Sequence, residues 1–440
     1  MSEQLSNVAS VNGFIDFVKN SPTAFHAVNA ICEKLEKAGF SRVNENDNVR
    51  LTAGRWYITR NLSSVIAFEI PEGPADHFQI VASHTDSPVF KLKQKCEQQA
   101  LGAYCRLNVE PYGGMIMSTW LDRPLGIAGR VFIRQGEKIT AKLVDLDRDA
   151  CVIPNMPIHF NRECNSGYAF KPQTDLLPLF GDNTDAGKLN QQIAAKAGCS
   201  VDEIAGSDLF LYGRVPGTVW GAEDQFFSCG RIDDLECAYT SVEAIISSHP
   251  KKQVNICAVF DNEEVGSRSK QGADSTFLQD TMLRIAEDLG NSLSKARAMI
   301  SASFMLSADN AHALHPNHPE KFDADNRTYM NRGVVIKHNA NQKYTTDGAS
   351  SAVFETICAD AGVPVQHFHN HSDLPGGSTL GNIANAHVSM NTVDIGAAQL
   401  AMHSSYESAG CADVKHMADA MEAFYAACVK TDADGCFTIE

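Results

Sequence analysis

The chain has 440 residues, 44% hydrophobic and 20% charged, which is enough to bury a large core without disulfide or metal staples. Its 37 Lys and Arg against 53 Asp and Glu give a formal net charge of −16, which excludes the broad basic face that nucleic acid requires. None of the 13 cysteines falls in a C-x-x-C pair, and no long apolar run follows the polar first residues, so the expectation is a reduced, cytoplasmic chain with no signal peptide and no membrane span.

In chain order, residues 11–40 read as helical. Phe14, Phe17 and Val18 share a stripe, and Ala27, Ile31, Leu35 and Ala38 stay in phase along a second amphipathic stretch. Ser21-Pro22 and Gly39 punctuate the two. Strand-like runs follow at residues 65–70, 78–82 and 254–260, and residues 298–306 are apolar enough for a strand or a buried helix. Residues 333–337 and 392–395 read as short strands, and residues 350–362 and 414–429 as helices. Strand–helix alternation at both ends predicts an α/β layer, a mixed but mostly parallel sheet sandwiched by helices. The middle differs: residues 93–229 are rich in Gly, Pro and short β-like runs such as 129–133 and 138–144, with helical periodicity only near 190–196. The predicted organisation is a catalytic domain from residues 1–92 and 230–440, with residues 93–229 inserted as a β-rich domain.

Five segments place metal-binding side chains at strand ends or tight turns. In Ser83-His84-Thr85-Asp86-Ser87-Pro88, His84 and Asp86 point the same way on an extended backbone, as a ligand and its carboxylate orienter do. In Gly230-Arg231-Ile232-Asp233-Asp234, either aspartate can bridge two cations or cap the helix that follows, and spacing does not separate them. Asp261-Asn262-Glu263-Glu264 directly follows an apolar strand, where packing gives acidic residues no reason to be. Adjacent carboxylates point in different directions, so one can hold metal while the other moves a proton. Asp309, with His312 and His315 beyond it, and His403 complete the series. Each segment alone is compatible with a cap or a solvated turn. Together, two His and three carboxylates with one shared form an N/O donor set for two divalent ions, zinc first, with cobalt or manganese as alternatives. There is no G-x-S-x-G, P-loop or G-x-G-x-x-G.

The ordered motifs resemble the aspartyl aminopeptidase family of co-catalytic zinc aminopeptidases, especially its bacterial members, over nearly the whole chain. The matching residues are Ser21-Pro22-Thr23-Ala24-Phe25-His26-Ala27, Ser83 to Pro88, Tyr112-Gly113-Gly114, Ser118-Thr119-Trp120-Leu121-Asp122-Arg123, Arg231-Ile232-Asp233, Asp261 to Ser267, and Met402-His403-Ser404. The resemblance implies His84 and Asp309 on one metal, Glu264 and His403 on the other, and Asp233 bridging. It implies Glu263 as general base and Asp86 as the orienter of His84. It also implies a substrate pocket of His312, Lys337 and Tyr344, with Lys337 meeting an acidic first side chain, and His159 reaching a neighbouring subunit's site. The inserted domain becomes a dimerisation domain, and dimers assemble into a tetrahedral dodecamer. One departure is His371, where many relatives carry Arg two residues before the Asp of Asp373-Leu374-Pro375-Gly376-Gly377. The expected activity is two-metal removal of N-terminal residues from peptides, preferentially Asp and Glu. Its rivals are a neutral, Leu-type preference, a related aminoacylase or carboxypeptidase, and a non-catalytic peptide-binding shell.

Overall fold

The computed structural model describes residues 2–440. Its main sheet has nine strands in the order Ser41–Arg42, Gly54–Arg60, Ser64–Ile70, Gln253–Phe260, His77–His84, Phe304–Ala308, Asn391–Gly396, Val334–His338 and Val365–His369. The four strands at its centre, from Gln253–Phe260 to Asn391–Gly396, are mutually parallel. Antiparallel pairings join Ser64–Ile70 and Val334–His338 to either side of that group. Every residue of His77–His84 and of Gln253–Phe260 is buried, as expected of parallel strands covered on both faces.

The period-2 alternation of these strands divides the core. Val65, Ala67, Val81, Cys257 and Val259 face one helical layer, made by Ser2–Lys19, Ala24–Lys37, Ile232–Ser247, Gly348–Ala361 and Cys411–Ala426. Ile66, Phe68, Ile80, Ile256 and Ala258 face the other, made by Phe277–Asp288, Leu293–Ser301 and Leu380–Ala384. The sandwich read from the sequence is therefore the observed architecture. Ala24–Lys37 buries Phe25, Val28, Ile31 and Leu35 on one stripe.

A second sheet is wholly antiparallel, in the order Lys138–Asp145, Leu125–Gln135, Ile204–Gly213, Val89–Ala100, Tyr104–Tyr112 and Leu179–Asp182. It has its own core, to which the helix Lys188–Ala197 adds Leu189, Ile193 and Ala197. Gly129 lies where a Cβ would meet the Asp208 carbonyl oxygen at 2.0 Å, so only glycine lets these two strands approach. The last part of residues 93–229 leaves this sheet. Thr218–Trp220 and Phe226–Cys229 join Glu407–Gly410, Ala398–Leu400 and Ala311–His312 in a five-stranded sheet.

Two local readings change. The apolar run 298–306 is the end of a helix at Ser301 followed by a strand from Phe304. The last long helix stops at Ala426, and Cys428, at φ 43°, turns the chain into the hairpin Val429–Ala433 with Cys436–Ile439. A further strand, Gly54–Arg60, with Trp-Tyr-Ile-Thr between two arginines, was not singled out in the sequence. Among the described residues no helix is long and apolar enough to cross a membrane.

Candidate metal centre

The parallel strands deliver their C-terminal ends to one place. His84 ends its strand, Asp261 to Glu264 follow Phe260, and Asp309 follows Ala308. Ligand sites of open α/β sheets form at this edge because side chains there leave the packed layers but stay fixed by the strands. Gly396 belongs to the same end: a Cβ on it would meet the Asp309 carbonyl oxygen at 2.0 Å.

His84 is 1% exposed. Its Nδ1 lies 3.1 Å from the Asp86 carbonyl oxygen, which can only accept, so Nδ1 carries a proton and Nε2 is the nitrogen turned to the carboxylates. Nε2 faces Asp233 Oδ1 at 3.5 Å and Asp234 Oδ2 at 3.9 Å. His403, at φ 67°, repeats this logic: Nδ1 donates to the Gly114 carbonyl at 2.6 Å, and Nε2 faces Asp233 Oδ2 and Glu264 Oε2, each at 3.4 Å. Asp233 thus turns one oxygen to each imidazole. Two groups of side chains can hold an ion, His84 with Asp233, Asp234 and Asp309, and Asp233 with Glu264 and His403, and Asp233 belongs to both.

The carboxylates fit such ions. Asp233 Oδ1, Asp234 Oδ1 and Glu264 Oε1 are buried with no hydrogen-bond donor. Leaving charged oxygens unpaired away from water is costly, and a cation is the partner this geometry offers. Burial, reinforced by neighbouring acids, pushes Asp234, Glu264 and Asp309 up from the ordinary carboxylate range. Both imidazoles rise despite burial, because the aspartates outweigh it: His84 goes well above its usual value and His403 to about 9. Asp234 belongs to one group only, and its Oδ2 accepts the His84 backbone N–H at 3.0 Å.

Asp86 is placed to do more than orient one histidine. Its Oδ1 accepts from the Glu263 N–H at 3.1 Å and lies 3.4 Å from His84 Nδ1; its Oδ2 accepts from the Glu264 N–H at 3.1 Å and from Tyr112 Oη at 2.7 Å. Tyr112 Oη in turn accepts from Asn262 Nδ2 at 2.8 Å. Glu263 sits in the turn Glu263–Val265, and burial first, then the charges of Asp309, Asp86 and Asp233 against that of His84, pushes its carboxyl up to about 8.

Lys337 is 2% exposed, and its Nζ donates to the carbonyls of Asp309 at 2.7 Å and Asn310 at 3.4 Å. It lies 3.7 Å from Asp309 Oδ1 and 5.2 Å from the centre of the Tyr344 ring. Burial opposes its charge, but Asp309 and its other neighbours hold the ammonium above its usual range. His312 stands three residues beyond Asp309, its ring edge-on to Phe368 at 5.9 Å. The structure therefore brings His84, Asp86, Asp233, Glu263, Glu264, Asp309 and His403 together, with Lys337 and Tyr344 beside Asp309. His159 is not among them. It sits in an exposed stretch of the antiparallel unit between Ile158 and Phe160, which are 51% and 82% exposed, and makes no hydrogen bond or ion pair with the centre among the described residues.

Two residues of the centre had no role in the sequence reading. Glu407, 2% exposed, accepts from the backbone N–H groups of Ile232 (2.6 Å), Asp233 (3.2 Å) and His403 (2.8 Å) and from Gln399 Nε2 (3.1 Å). It fixes Asp233 and His403 to each other. Tyr112 couples Asp86 to Asn262, and the Tyr-Gly-Gly turn that follows supplies the carbonyl on His403. Tyr112 before two glycines was the available signal.

Comparison with known proteins agrees with this geometry. Residues 17–425 match the family model described as aminopeptidase I zinc metalloprotease (M18). The chain is 42% identical over 430 residues to a probable M18 family aminopeptidase 2 of Clostridium novyi (strain NT), covering 96% of this chain and 99% of that one. Among solved structures it is similar to Ape4 in an Ape4–Nbr1 complex, with a TM-score of 0.93, 33% identity, and coverage of 96% of this chain and 86% of that one. It is also similar to the mApe1 dodecamer of S. cerevisiae, with a TM-score of 0.84, 27% identity, and coverage of 94% and 96%.

Proposed function

The chain belongs to the M18 family of zinc metallo-aminopeptidases, and from that premise we propose that it uses two divalent ions to release N-terminal residues from peptides, with a preference for Asp and Glu. The observation that carries the reading is Asp233, shared between two potential ligand groups with Glu263 beside them. His84 and Asp309 would hold one ion, Glu264 and His403 the other, and Asp233 both. Such a pair, zinc by the donor set, supplies Lewis acidity toward the scissile carbonyl and lowers the pKa of the attacking water.

The chain's own residues do the rest. Glu263 takes a proton from the attacking water and delivers it to the leaving amine; a carboxyl raised toward neutrality by burial suits both steps. Asp86 holds the peptide N–H groups of Glu263 and Glu264, so base and ligand keep a fixed spacing. Lys337 spends two of its three protons on backbone carbonyls, and the third is available to an acidic first side chain. Its near-complete burial favours a second reading, in which Lys337 only braces Asp309 and the pocket prefers neutral residues of the Leu type.

The family's dodecameric relative supports a homo-oligomer here. The antiparallel unit, drawn largely from residues 93–229, is our candidate for its dimer contact, with dimers in a tetrahedral dodecamer. Met156, Ile158 and Phe160 expose 58%, 51% and 82% of their surface around His159, an apolar patch suited to burial against another subunit. His159 would then act on a neighbour's substrate.

The test is hydrolysis of Asp-, Glu-, Leu- and N-acetyl-Asp-chromogenic amides, with and without chelator. Fast, chelator-sensitive release from free Asp and Glu amides alone supports the full reading. Release chiefly from the Leu amide overturns the acidic preference, and release from the acetylated amide overturns the requirement for a free N-terminus.

A further inference from the structure

Away from the centre, the edge of the main sheet carries three histidines on one face. Val334–His338 pairs in parallel with the edge strand Val365–His369, setting Ile336 opposite His367 and His338 opposite His369. Alternation then puts His338, His367 and His369 on the same side of the sheet. His338 Nε2 lies 3.0 Å from His367 Nδ1. The His338 and His369 rings are stacked, 4.9 Å apart and within 5° of parallel.

One outer histidine has a carboxylate near it. The free nitrogen of His367, Nε2, is 3.8 Å from Glu355 Oε1 on the helix Gly348–Ala361. None of these groups takes part in the peptidase centre described above.

Two of the three imidazoles meet nitrogen to nitrogen, and the third lies flat against one of them. Burial, with His369 and His367 beside it, lowers His338 to about 4. Its imidazole is therefore neutral at pH 7, the form that binds metal. For metal–nitrogen bonds of about 2.0–2.1 Å in a tetrahedral site, two ligand nitrogens sit about 3.3 Å apart, so the His338–His367 pair needs to open only slightly. His369 is stacked instead of converging on the same point, but it is exposed and can turn about its side-chain bonds without breaking a core contact.

We propose that His338, His367 and His369 form a further divalent-cation site at the open edge of the main sheet, taking a borderline ion of the nickel, copper or zinc class, with Glu355 orienting His367. Imidazole donors select these ions over magnesium or calcium. A carboxylate on the distal nitrogen of a ligating histidine fixes its tautomer and raises its basicity. Occupancy would tie the edge strand to the strand bearing Lys337, which directly precedes His338.

The test is calorimetric titration of the zinc-loaded, full-length protein with Ni2+, with released zinc monitored so that exchange at the peptidase centre is counted separately. The wild type should take up one further Ni2+ per chain without releasing zinc. The variant His367→Ala/His369→Ala should lose that uptake while keeping its melting temperature and peptidase rate, and His315→Ala/His318→Ala, a separate histidine pair with rings 5.0 Å apart, should keep it. Glu355→Gln should weaken Ni2+ binding by about 10-fold or more. No uptake by the wild type, or equal uptake by a folded His367→Ala/His369→Ala variant, overturns the site. Unchanged affinity in Glu355→Gln overturns the orienting role.

Discussion

Replacing Asp86 by Asn changes one charge and almost no volume, yet it strikes several contacts of the centre at once. The carboxylate accepts from two backbone N–H groups and from Tyr112 Oη while 5% exposed. An amide offers only one oxygen. With its NH2 on the Oδ2 side, the Glu264 N–H faces a donor; with it on the Oδ1 side, the Glu263 N–H does, and His84 Nδ1 stands 3.4 Å away. Either orientation removes at least one charge-assisted hydrogen bond, each about 1.5–3 kcal/mol. If all of one such loss falls on the transition state, kcat/KM drops roughly 10- to 150-fold. The assay is kcat/KM on an Asp amide, read beside metal content and melting temperature. Tyr112→Phe should lose less, and the double variant less than the product of the two, because both act on the same oxygen. An Asp86→Asn enzyme with unchanged kcat/KM and melting temperature would refute the role given to Asp86. Loss of activity in proportion to loss of metal would place the effect on His84 instead.

Glu263→Gln should lower kcat by about 10^2–10^4 with metal content intact; undiminished turnover at full metal loading would remove it from proton transfer. Glu407→Gln sets an NH2 against backbone N–H groups it must otherwise accept from. It should cost about 1–3 kcal/mol of stability and speed metal loss to chelator, both read by thermal melting with and without chelator. Lys337→Met keeps the bulk of the stem but strips the donor from the Asp309 and Asn310 carbonyls. It should reduce rates on Asp and Glu amides more than on Leu amides, while equal losses on both would assign Lys337 to bracing alone.

What could be read from the sequence followed from local pattern. Acidic residues placed directly after the apolar run 254–260 mark a strand end with a purpose, and the two-residue spacing of His84 and Asp86 is a property of extended chain. The α/β layer was legible because Ile66, Phe68 and Ile80 alternate with Val65, Ala67 and Val81 toward two different cores. Long-range geometry was not. The difference between Asp233 and Asp234 comes from non-helical backbone at both residues, within the first turn of Ile232–Ser247, and from which side chains arrive from elsewhere. Glu407 meets Ile232 and Asp233 across 175 and 174 residues of chain, so no window of sequence contains the contact. Thr218–Trp220 and Phe226–Cys229 pair with each other and read as part of the middle region because the next strand of their sheet, Glu407–Gly410, comes so much later.

The role proposed for Lys337 would tie specificity to the metal centre. Its strand runs antiparallel to Asn391–Gly396, with Val335 opposite Gly396 and Ile336 opposite Ile395, and this brings the ammonium under the Asp309–Asn310 peptide. Gly396 has no Cβ and lets the Asp309 carbonyl approach from its own side. The residue that would carry one ligand carboxylate is therefore pinned between a glycine backbone and a buried cation. Any acidic side chain entering the pocket would share that cation with Asp309. The same positive charge would then offset two carboxylates, one of the enzyme and one of the substrate, in a place from which water is nearly excluded. On the proposed reading the brace and the pocket floor are one side chain, so exchanging it to change the preferred residue would also disturb the loop that presents Asp309. A neutral-preferring variant that retains full metal affinity therefore needs a replacement donor for the Asp309 carbonyl as well as a neutral pocket.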